Sequence, residues 1–598
     1  MFIDWSAPES FGQLPTAPFP PMSSRTSLLT QVAGQPVTPV QQQYLDGFFA
    51  GIAARGLSFG DVQADSVPAP DAVDDEDLTI EESIKKALNP LDFYPNILQY
   101  AATNTPPEKD DIFRYKWSGL FYLSPINGAF MARLRIPGGI LKSWQLREIA
   151  HTAKDLTTGY CQITTRSNLQ VRLIEPKDAP EFLRRIQSVG LHTKGSGADN
   201  IRNLTIGPAA GFDPHELIDT LPLIQQLGHY ILSTPEFYDL PRKFNIAIDG
   251  AGVIGSLEDT NDIGLRAVRV GPNSEGIAPG IWFRLALGGA TGLKSFAEDC
   301  GVLIAPEQAV EVCAALVRIF IQHGNRSDRK RARLKYLLEK MPLQEYLAAT
   351  GKLLGWTLTR ATSAVELPHT IPAMPHAHIG DYPQSQPGLR YLGVHVPVGE
   401  MTPDQMLAVA DFAEEYGKGE IRLTVWENFL LPHVPEARIP ALKAAMEALG
   451  FPCRQSNVRT GFVACTGNTY CKFAAANTKG SAVALMDYLD ATVTLPEPVN
   501  VHVTGCPHSC AQHYIGDIGL LGAKNAAGAE SFHVFTGGGF GKQKALGRQL
   551  FQALTLEELK PALAGLLNGW TKNRQENESF QTFTTRHTPE ELKALAAA

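Results

Sequence analysis

The hydrophobic and polar positions of this chain follow the same course twice. Near residue 130 an apolar, alternating run (FMARLRI) breaks at Pro137-Gly138-Gly139. A stretch with the 3.6-residue period of an amphipathic helix follows through LKSWQLREIAHTAKDL (141–156), and a second alternating run closes the unit. The pattern predicts strand, turn, helix, strand. It returns at a constant offset of 260: Pro137 falls on Pro397, Gly139 on Gly399, Gln145 on Gln405, Ala150 on Ala410 and Ala153 on Ala413. The register continues without a gap to Thr164 and Thr424, then Asn168 and Asn428.

A second segment repeats at slightly smaller offsets. Asn200-Ile201-Arg202 lies 257 residues before Asn457-Val458-Arg459, and LPRKFNIAIDG (240–250) lies 255 before LPEPVNVHVTG (495–505). DIGL at 262–265 and 517–520 shares the offset of 255. So many ordered matches mark an internal duplication.

At 598 residues the chain exceeds one hydrophobic core and predicts several domains. A hydrophobic share of 44% and a charged share of 19% suit a globular enzyme, and net charge −8 speaks against a general nucleic-acid binder. No apolar run of about 18 residues predicts a transmembrane helix. The N-terminal segment does not read as a secretory signal. Residues 1–75, rich in Pro, Ser, Gln and Ala, read as a flexible or docking extension, with one amphipathic helix possible over 38–56. Eight cysteines in so long a chain are no disulfide scaffold, so a cytoplasmic location is expected.

Four of those cysteines carry the chemistry. Cys465 and Cys471 (CTGNTYC), then Cys506 and Cys510 (CPHSC), supply enough thiolates for an iron–sulfur cluster or a tetrahedral zinc. The wide first gap fits zinc knuckles poorly, and Pro507 beside a cysteine is typical of cluster loops; unconnected buried thiols are the third reading. Cys161, Cys300, Cys313 and Cys453 show no ligand spacing and read as core thiols. The copies differ where it matters. Cys506 and Cys510 align with Ala251 and Gly255, whereas Arg133, Arg166 and Lys243 align with Gly393, Trp426 and Pro498. One copy keeps cations and the other thiolates, which points to one shared site between them.

CTGNTYC and CPHSC, with FMARLRIPGG, TTRSN, DNIRN and LPRKFN in the first copy, resemble the sirohaem/[4Fe–4S] signature of assimilatory nitrite and sulfite reductases, from about Asn89 to Arg586. The resemblance implies an α+β fold in which two ferredoxin-like half-domains form one lobe and two further α/β lobes surround a central cofactor site. The expected partition is 76–105 as a helical linker, 106–180 and 386–440 as half-domains, 181–345 as the sirohaem and anion-pocket domain, 346–385 as a linker, and 441–598 as the cluster domain. It further implies that Cys465, Cys471, Cys506 and Cys510 ligate a [4Fe–4S] cluster and that Cys510 bridges it to sirohaem. Arg133, Arg202, Lys243 and Asn245 would bind the substrate anion, and Arg135 and Arg166 the carboxylates of the macrocycle. His508 reads as a loop residue shaping the ligand turn, and GGGFG (537–541) as a turn beside the cofactor.

The family resemblance implies six-electron reduction of nitrite to ammonia, or of sulfite to sulfide. Sulfite reductases of the family usually carry Lys at the position of Asn245, so Asn245 points to nitrite. No GxGxxG lies between a strand and a helix, so an external one-electron donor is expected, by resemblance ferredoxin. Six cations in 326–335 against Asp328 offer a patch that could steer an acidic donor, or an ordinary solvated face.

Overall fold

A computed structural model describes residues 77–598, apart from 123–127, 158, 273–275, 373, 375 and 598, together with two short antiparallel strands at Gln31–Val32 and Gln35–Pro36. Those strands belong to a separate unit, Met1–Ala69. The rest of the expected extension, including 38–56, lies outside the described residues.

Each copy builds a half-domain and a larger sheet. The first half-domain sheet contains Leu120–Phe121, Phe130–Arg133, Leu169–Ile174 and Cys161–Ile163; the second contains Gly380–Pro383, Leu389–Val394, Phe429–Pro435 and Glu420–Leu423. Each is completed by a strand of the other copy. Ile140–Lys142 pairs antiparallel with Glu420–Leu423, and Glu400–Met401 pairs with Cys161–Ile163. This reciprocal exchange gives the two half-domains a single core, in which Leu146, Ile149 and Ala153 share a cluster with Met406, Val409 and Ala413. Those side chains come from the predicted helices, Ser143–Leu156 and Pro403–Tyr416, and show the expected spacing.

The repeated glutamine has a local reason. Gln145 Oε1 accepts the Lys142 N–H at 3.0 Å and Gln405 Oε1 the Thr402 N–H at 2.9 Å, closing the first turn of each helix. The other end of each amide donates to a carbonyl, Val189 O at 2.9 Å and Leu449 O at 3.2 Å. One side chain caps the helix and ties down the loop behind it.

The larger sheets repeat one topology. Thr205–Ile206, Ile246–Asp249 and Ile263–Val270 run parallel, then Gly280–Leu287 and Glu298–Ile304 continue antiparallel. In the second copy Phe462–Ala464, Val501–Thr504 and Ile518–Lys524 are parallel, and Glu530–Thr536 and Arg548–Leu554 antiparallel. Each sheet has its own apolar core. The span expected as a linker, 346–385, is more structured than its composition suggests. It begins within the helix Leu343–Leu354, adds edge strands Thr359–Arg360 and Glu366–Leu367 to the first sheet, and ends in Gly380–Pro383.

Candidate active site

The cysteines stand beyond the carboxyl ends of parallel strands, where loops can converge. Cys465 follows Phe462–Ala464 and Cys506 follows Val501–Thr504, and these two strands are neighbours. The Cys465 N–H donates to Val503 O at 3.0 Å, and the Gly505 N–H donates to Cys465 Sγ at 3.1 Å. Ala475 N–H donates to Gly505 O at 2.8 Å, so the two cysteine loops are bonded to each other on both sides of Cys465. His508 sits as expected of a turn residue, its Nδ1 3.4 Å from Cys506 Sγ. Cys510 is exposed, while Cys465 and Cys471 are half-buried and Cys506 buried. The other four cysteines are buried and unpaired, and burial pushes Cys161, Cys313 and Cys453 up to about 12.

Burial also raises the Cys465 and Cys471 thiols and pushes Cys506 up to about 11, with Cys510 adding to all three shifts. Three thiols raised by burial and by a neighbouring cysteine need a cationic centre to become thiolates, which is what cluster iron provides. Among the described residues no three His, Cys, Asp or Glu side chains converge tightly enough to hold one metal ion. With five residues between Cys465 and Cys471 on two mutually bonded loops, the set fits a cluster better than a tetrahedral zinc knuckle.

The first copy supplies the cations. Arg133 ends the strand Phe130–Arg133 with its guanidinium over the Phe121 ring, 4.7 Å from the centroid. Arg202 is aimed by its own loop: Nη1 donates to Ser196 O at 2.6 Å and Nη2 to Ala198 O at 2.9 Å. Its backbone N–H donates to Phe244 O at 2.8 Å, which brings it beside Lys243 and Asn245. Asn245 is fixed through its N–H to Asp262 Oδ2 at 2.8 Å, and its side-chain amide has no protein partner among the described residues. Arg166, in the turn after Cys161–Ile163, donates from both terminal nitrogens to the neutral Asn261 Oδ1, and its Nε is left without a partner.

Among the described residues none of Arg133, Arg166, Arg202 and Lys243 forms an ion pair. Burial and one another's charge push Arg166 down to about 10 and Lys243 to about 7, and hold Arg202 well below its ordinary value. Arg133 is lowered too, by burial, and the sulfur of Cys510 pulls it partly back, as it does for Lys243. The cations of one copy therefore face the cysteine edge of the other. Two contacts fix that facing: Thr165 Oγ1 donates to Cys510 O at 3.0 Å, and Arg172 donates to Thr466 Oγ1. Several fixed cations with no ion-paired carboxylate among the described residues, set against a cysteine wall, suit an anionic ligand.

Two expectations change. Arg135, 4% exposed, spends its guanidinium on four backbone carbonyls, those of Lys194, Arg202, Gly195 and Ile201 at 2.8–3.4 Å. It positions the 194–202 loop that carries Arg202 and is not free to grip a carboxylate. The segment 326–335 is no free basic patch. Arg326 pairs with Glu82 at 2.7 Å, Arg329 with Asp199 and Glu81 at 2.8 Å, Arg331 with Glu339 at 2.9 Å and Arg333 with Asp262 at 2.8 Å.

Two cations went unread in the sequence. Arg172 donates to Gln162 and Gln170 at 2.7 Å, lies over Tyr470 and is electrostatically coupled to Cys471 and Cys465. Its counterpart at the offset of 260 is Pro432, so the comparison that singled out Arg133 reaches it as well. Lys116 is pushed down to about 8 by burial and by Arg329, with Arg202 and Lys472 contributing. GGGFG is a close-packed turn: a Cβ on Gly538 would lie 2.3 Å from Gly516 O, and one on Gly289 in the first copy 2.4 Å from Asn261 O.

Comparison with known proteins agrees with this arrangement. The family description "Nitrite and sulphite reductase 4Fe-4S domain" matches residues 197–358 and 455–596, and "Nitrite/Sulfite reductase ferredoxin-like half domain" matches 126–189 and 382–449. The chain is 36% identical to the ferredoxin–nitrite reductase of Synechococcus elongatus over 465 residues, 76% of this chain and 88% of that one. It is 32% identical to the chloroplastic ferredoxin–nitrite reductase of Spinacia oleracea over 474 residues, 77% and 78% of the two chains. The solved structure of Mycobacterium tuberculosis NirA superposes with a TM-score of 0.79 at 28% identity, covering 86% of this chain and 97% of that one. With two matched half-domains, two matched cluster domains and a duplicated α+β architecture, the chain belongs to the nitrite and sulphite reductase family.

Proposed function

We propose that this protein reduces nitrite to ammonia with six electrons delivered singly by ferredoxin, using sirohaem coupled through Cys510 to a [4Fe–4S] cluster held by Cys465, Cys471, Cys506 and Cys510. The observation that carries the reading is the unpaired cation group, Arg133, Arg166, Arg202 and Lys243, facing the cysteine loops across the interface of the copies. The relatives named as ferredoxin–nitrite reductases support both substrate and donor. The absence of any helix, among the described residues, long and apolar enough to cross a membrane is compatible with a soluble donor. A reducing compartment suits the unpaired thiols.

When bound, sirohaem with its cluster supplies an iron for the anion and a store of electrons one thiolate away. The protein does the rest. Arg133 and Arg202 hold the oxyanion through charge-assisted hydrogen bonds, and their geometry is fixed by the Phe121 face and the Ser196 and Ala198 carbonyls. Lys243, whose ammonium is kept acidic by burial and by Arg333 and Arg202, is suited to give up a proton near neutral pH. Reduction of both N–O bonds to water consumes protons, so a lysine held near its titration point is useful where a permanently charged arginine is not. Arg166 offers its charge and its unpartnered Nε to a macrocycle carboxylate, and the neutral Asn245 amide leaves the pocket one cation short of what a dianion would call for.

The test is turnover of the purified, cofactor-loaded protein with chemically reduced ferredoxin. Ammonium should form at one per nitrite consumed, and sulfite should turn over more slowly. Sulfide formation outpacing ammonium formation would reverse the substrate assignment.

A further inference from the structure

The duplication implies a second meeting place of the same kind. The cleft above joins second-copy cysteine loops to first-copy cations. The exchanged pairing sets the first-copy loop residues Ala209, Phe212 and Ile254 in one buried cluster with Trp426, the second-copy counterpart of Arg166. We propose that this exchanged cleft is a latent second site, and that His369 and His376–Ile379, from the segment between the copies, are bound in it as an internal ligand that seals it.

The segment touches the counterparts of the functional groups one after another. His369 Nε2 lies 2.9 Å from the carbonyl of Ala251, which aligns with Cys506. His376 Nε2 lies 3.0 Å from Asn500 Oδ1, the counterpart of Asn245, and its Nδ1 2.8 Å from Thr460 Oγ1, next to Arg459. Asn500 is held like its counterpart, its N–H donating to Asp517 Oδ2 at 2.8 Å. The His378 ring lies parallel to Trp426, which replaces Arg166, with centroids 5.6 Å apart.

The substitutions between copies read as accommodation of the segment. Gly393 stands where Arg133 does in the first copy, and a Cβ there would lie 2.3 Å from His378 O. Any side chain would therefore expel the segment. Arg459, the counterpart of Arg202, is turned away into ion pairs with Asp487 at 2.8 Å and Asp490 at 2.7 Å. On the first-copy side, carrying the offset of the paired strands, Ile206 to Ala464, into the following loop sets Asp213 opposite Cys471. Its Oδ2 accepts the Val253 N–H at 2.6 Å, so a carboxylate joins the two loops that a cluster would join in the other copy.

What the exchanged cleft lost in charge it gained in apolar packing. Ala377 belongs to a buried cluster with Phe212, Ile254, Trp426, Leu430 and Val463, drawn from both copies and the segment. His376 is held at φ 56°, a left-handed conformation that a non-glycine residue keeps only when its surroundings require it. A loop merely spanning two domains would lie on the surface and satisfy its polar groups with water. Here His376–Ile379 are buried, and His376 is bonded to residues of the cleft. The duplicated chain therefore has one cleft open to ligand and one occupied by itself, whichever anion the open cleft reduces.

The test removes the internal ligand's side chain and offers it back. In the cofactor-loaded enzyme with its iron saturated by cyanide, His376→Gly leaves an imidazole-sized vacancy between Thr460 and Asn500. Added imidazole should then raise the melting temperature saturably, by about 2–4 °C. The rise should be absent in the wild type and lost in His376→Gly/Asn500→Ala. No saturable rise in His376→Gly, or one that survives loss of Asn500, overturns the proposal. Should His376→Gly not fold, Gly393→Ala in the full chain reads the same point by limited proteolysis. Cleavage within 363–380 should quicken about tenfold or more, and an unchanged rate overturns the proposal.

Discussion

Replacing Asp262 by asparagine should cost far more stability than the same change at its counterpart, Asp517. Asp262 is buried and Asp517 half-buried, and each accepts the N–H of an asparagine, Asn245 or Asn500, at 2.8 Å. Only Asp262 also carries a buried arginine: Arg333 Nη2 donates to its two oxygens at 2.8 and 3.0 Å and Nε at 3.3 Å. Asp262 is 0% and Arg333 7% exposed, so D262N leaves a guanidinium without a counterion in the interior. Breaking a buried pair from one side costs about 3–5 kcal/mol. Asp517 has no cationic partner among the described residues, and burial pushes it up to about 6, so near neutrality it is mostly ionised but its charge is disfavoured by folding. D517N removes that uncompensated charge and keeps an acceptor oxygen for the two hydrogen bonds from Asn500, a change of about 1 kcal/mol. The difference, about 2–4 kcal/mol, corresponds to roughly 4–16 °C in melting temperature for units of this size. Differential scanning calorimetry of the two variants, with urea titration as a second probe, gives the comparison. Equal losses would refute the claim that Asp262 is anchored by Arg333 and that the copies have diverged electrostatically at this position.

Four further outcomes follow from the cleft. Removing one oxyanion-binding cation, Arg202→Gln, forfeits about 1–4 kcal/mol of attraction at 4 Å separation. The nitrite KM should rise about tenfold or more, and an unchanged KM in steady-state assays would remove Arg202 from the pocket. In the cofactor-free protein Lys243 is pushed down to about 7 by burial and by Arg333 and Arg202, so it is charged below that pH and neutral above it. Anion affinity, read by calorimetric titration with nitrite, should fall as pH rises through 7 and stay flat in Lys243→Arg. The same shift makes the unfolded chain the better proton binder between about 7 and 10, so the contribution of Lys243 to stability rises with pH there, a slope that Lys243→Met should abolish. Replacing Asn245 by lysine adds the cation that a dianion calls for and should shift the ratio of sulfite to nitrite turnover upward; an unmoved ratio would place selectivity elsewhere.

The duplication was legible because it preserves residues with strict local jobs, such as Gln145 and Gln405, whose amides close a helix turn in each half. The exchange of Ile140–Lys142 and Glu400–Met401 between half-domain sheets was not legible, since a short strand carries no mark of its partner. Motifs resembling the family's, together with the differences between the copies, led to the cysteine loops and to Arg133, Arg166, Arg202 and Lys243. They misled at Arg135, because two arginines two residues apart share one face of an extended run, and FMARLRI does not say that the strand ends at Arg133 and leaves the second arginine to meet carbonyls. Composition misled at 326–335 for a related reason. Its counterions Glu81, Glu82, Asp199 and Asp262 lie far away in the sequence and meet the arginines only in the folded chain. The sealed second cleft was hidden in plain view, since Gly393 and Trp426 register as losses until the segment that replaces the lost side chains is seen against them.

The central claim is that thiolates of one copy and cations of the other serve one iron tetrapyrrole between them. Optical titration of the purified enzyme with nitrite tests it most directly, run beside iron and acid-labile sulfide analysis on the wild type, Arg133→Gln/Arg202→Gln and Cys506→Ser. The account predicts haem bands that shift on adding nitrite, a shift weakened about tenfold or more in the arginine variant at unchanged iron and sulfide, and loss of cluster iron and sulfide in the cysteine variant. A colourless protein carrying zinc, or a nitrite response indifferent to both arginines, would contradict it.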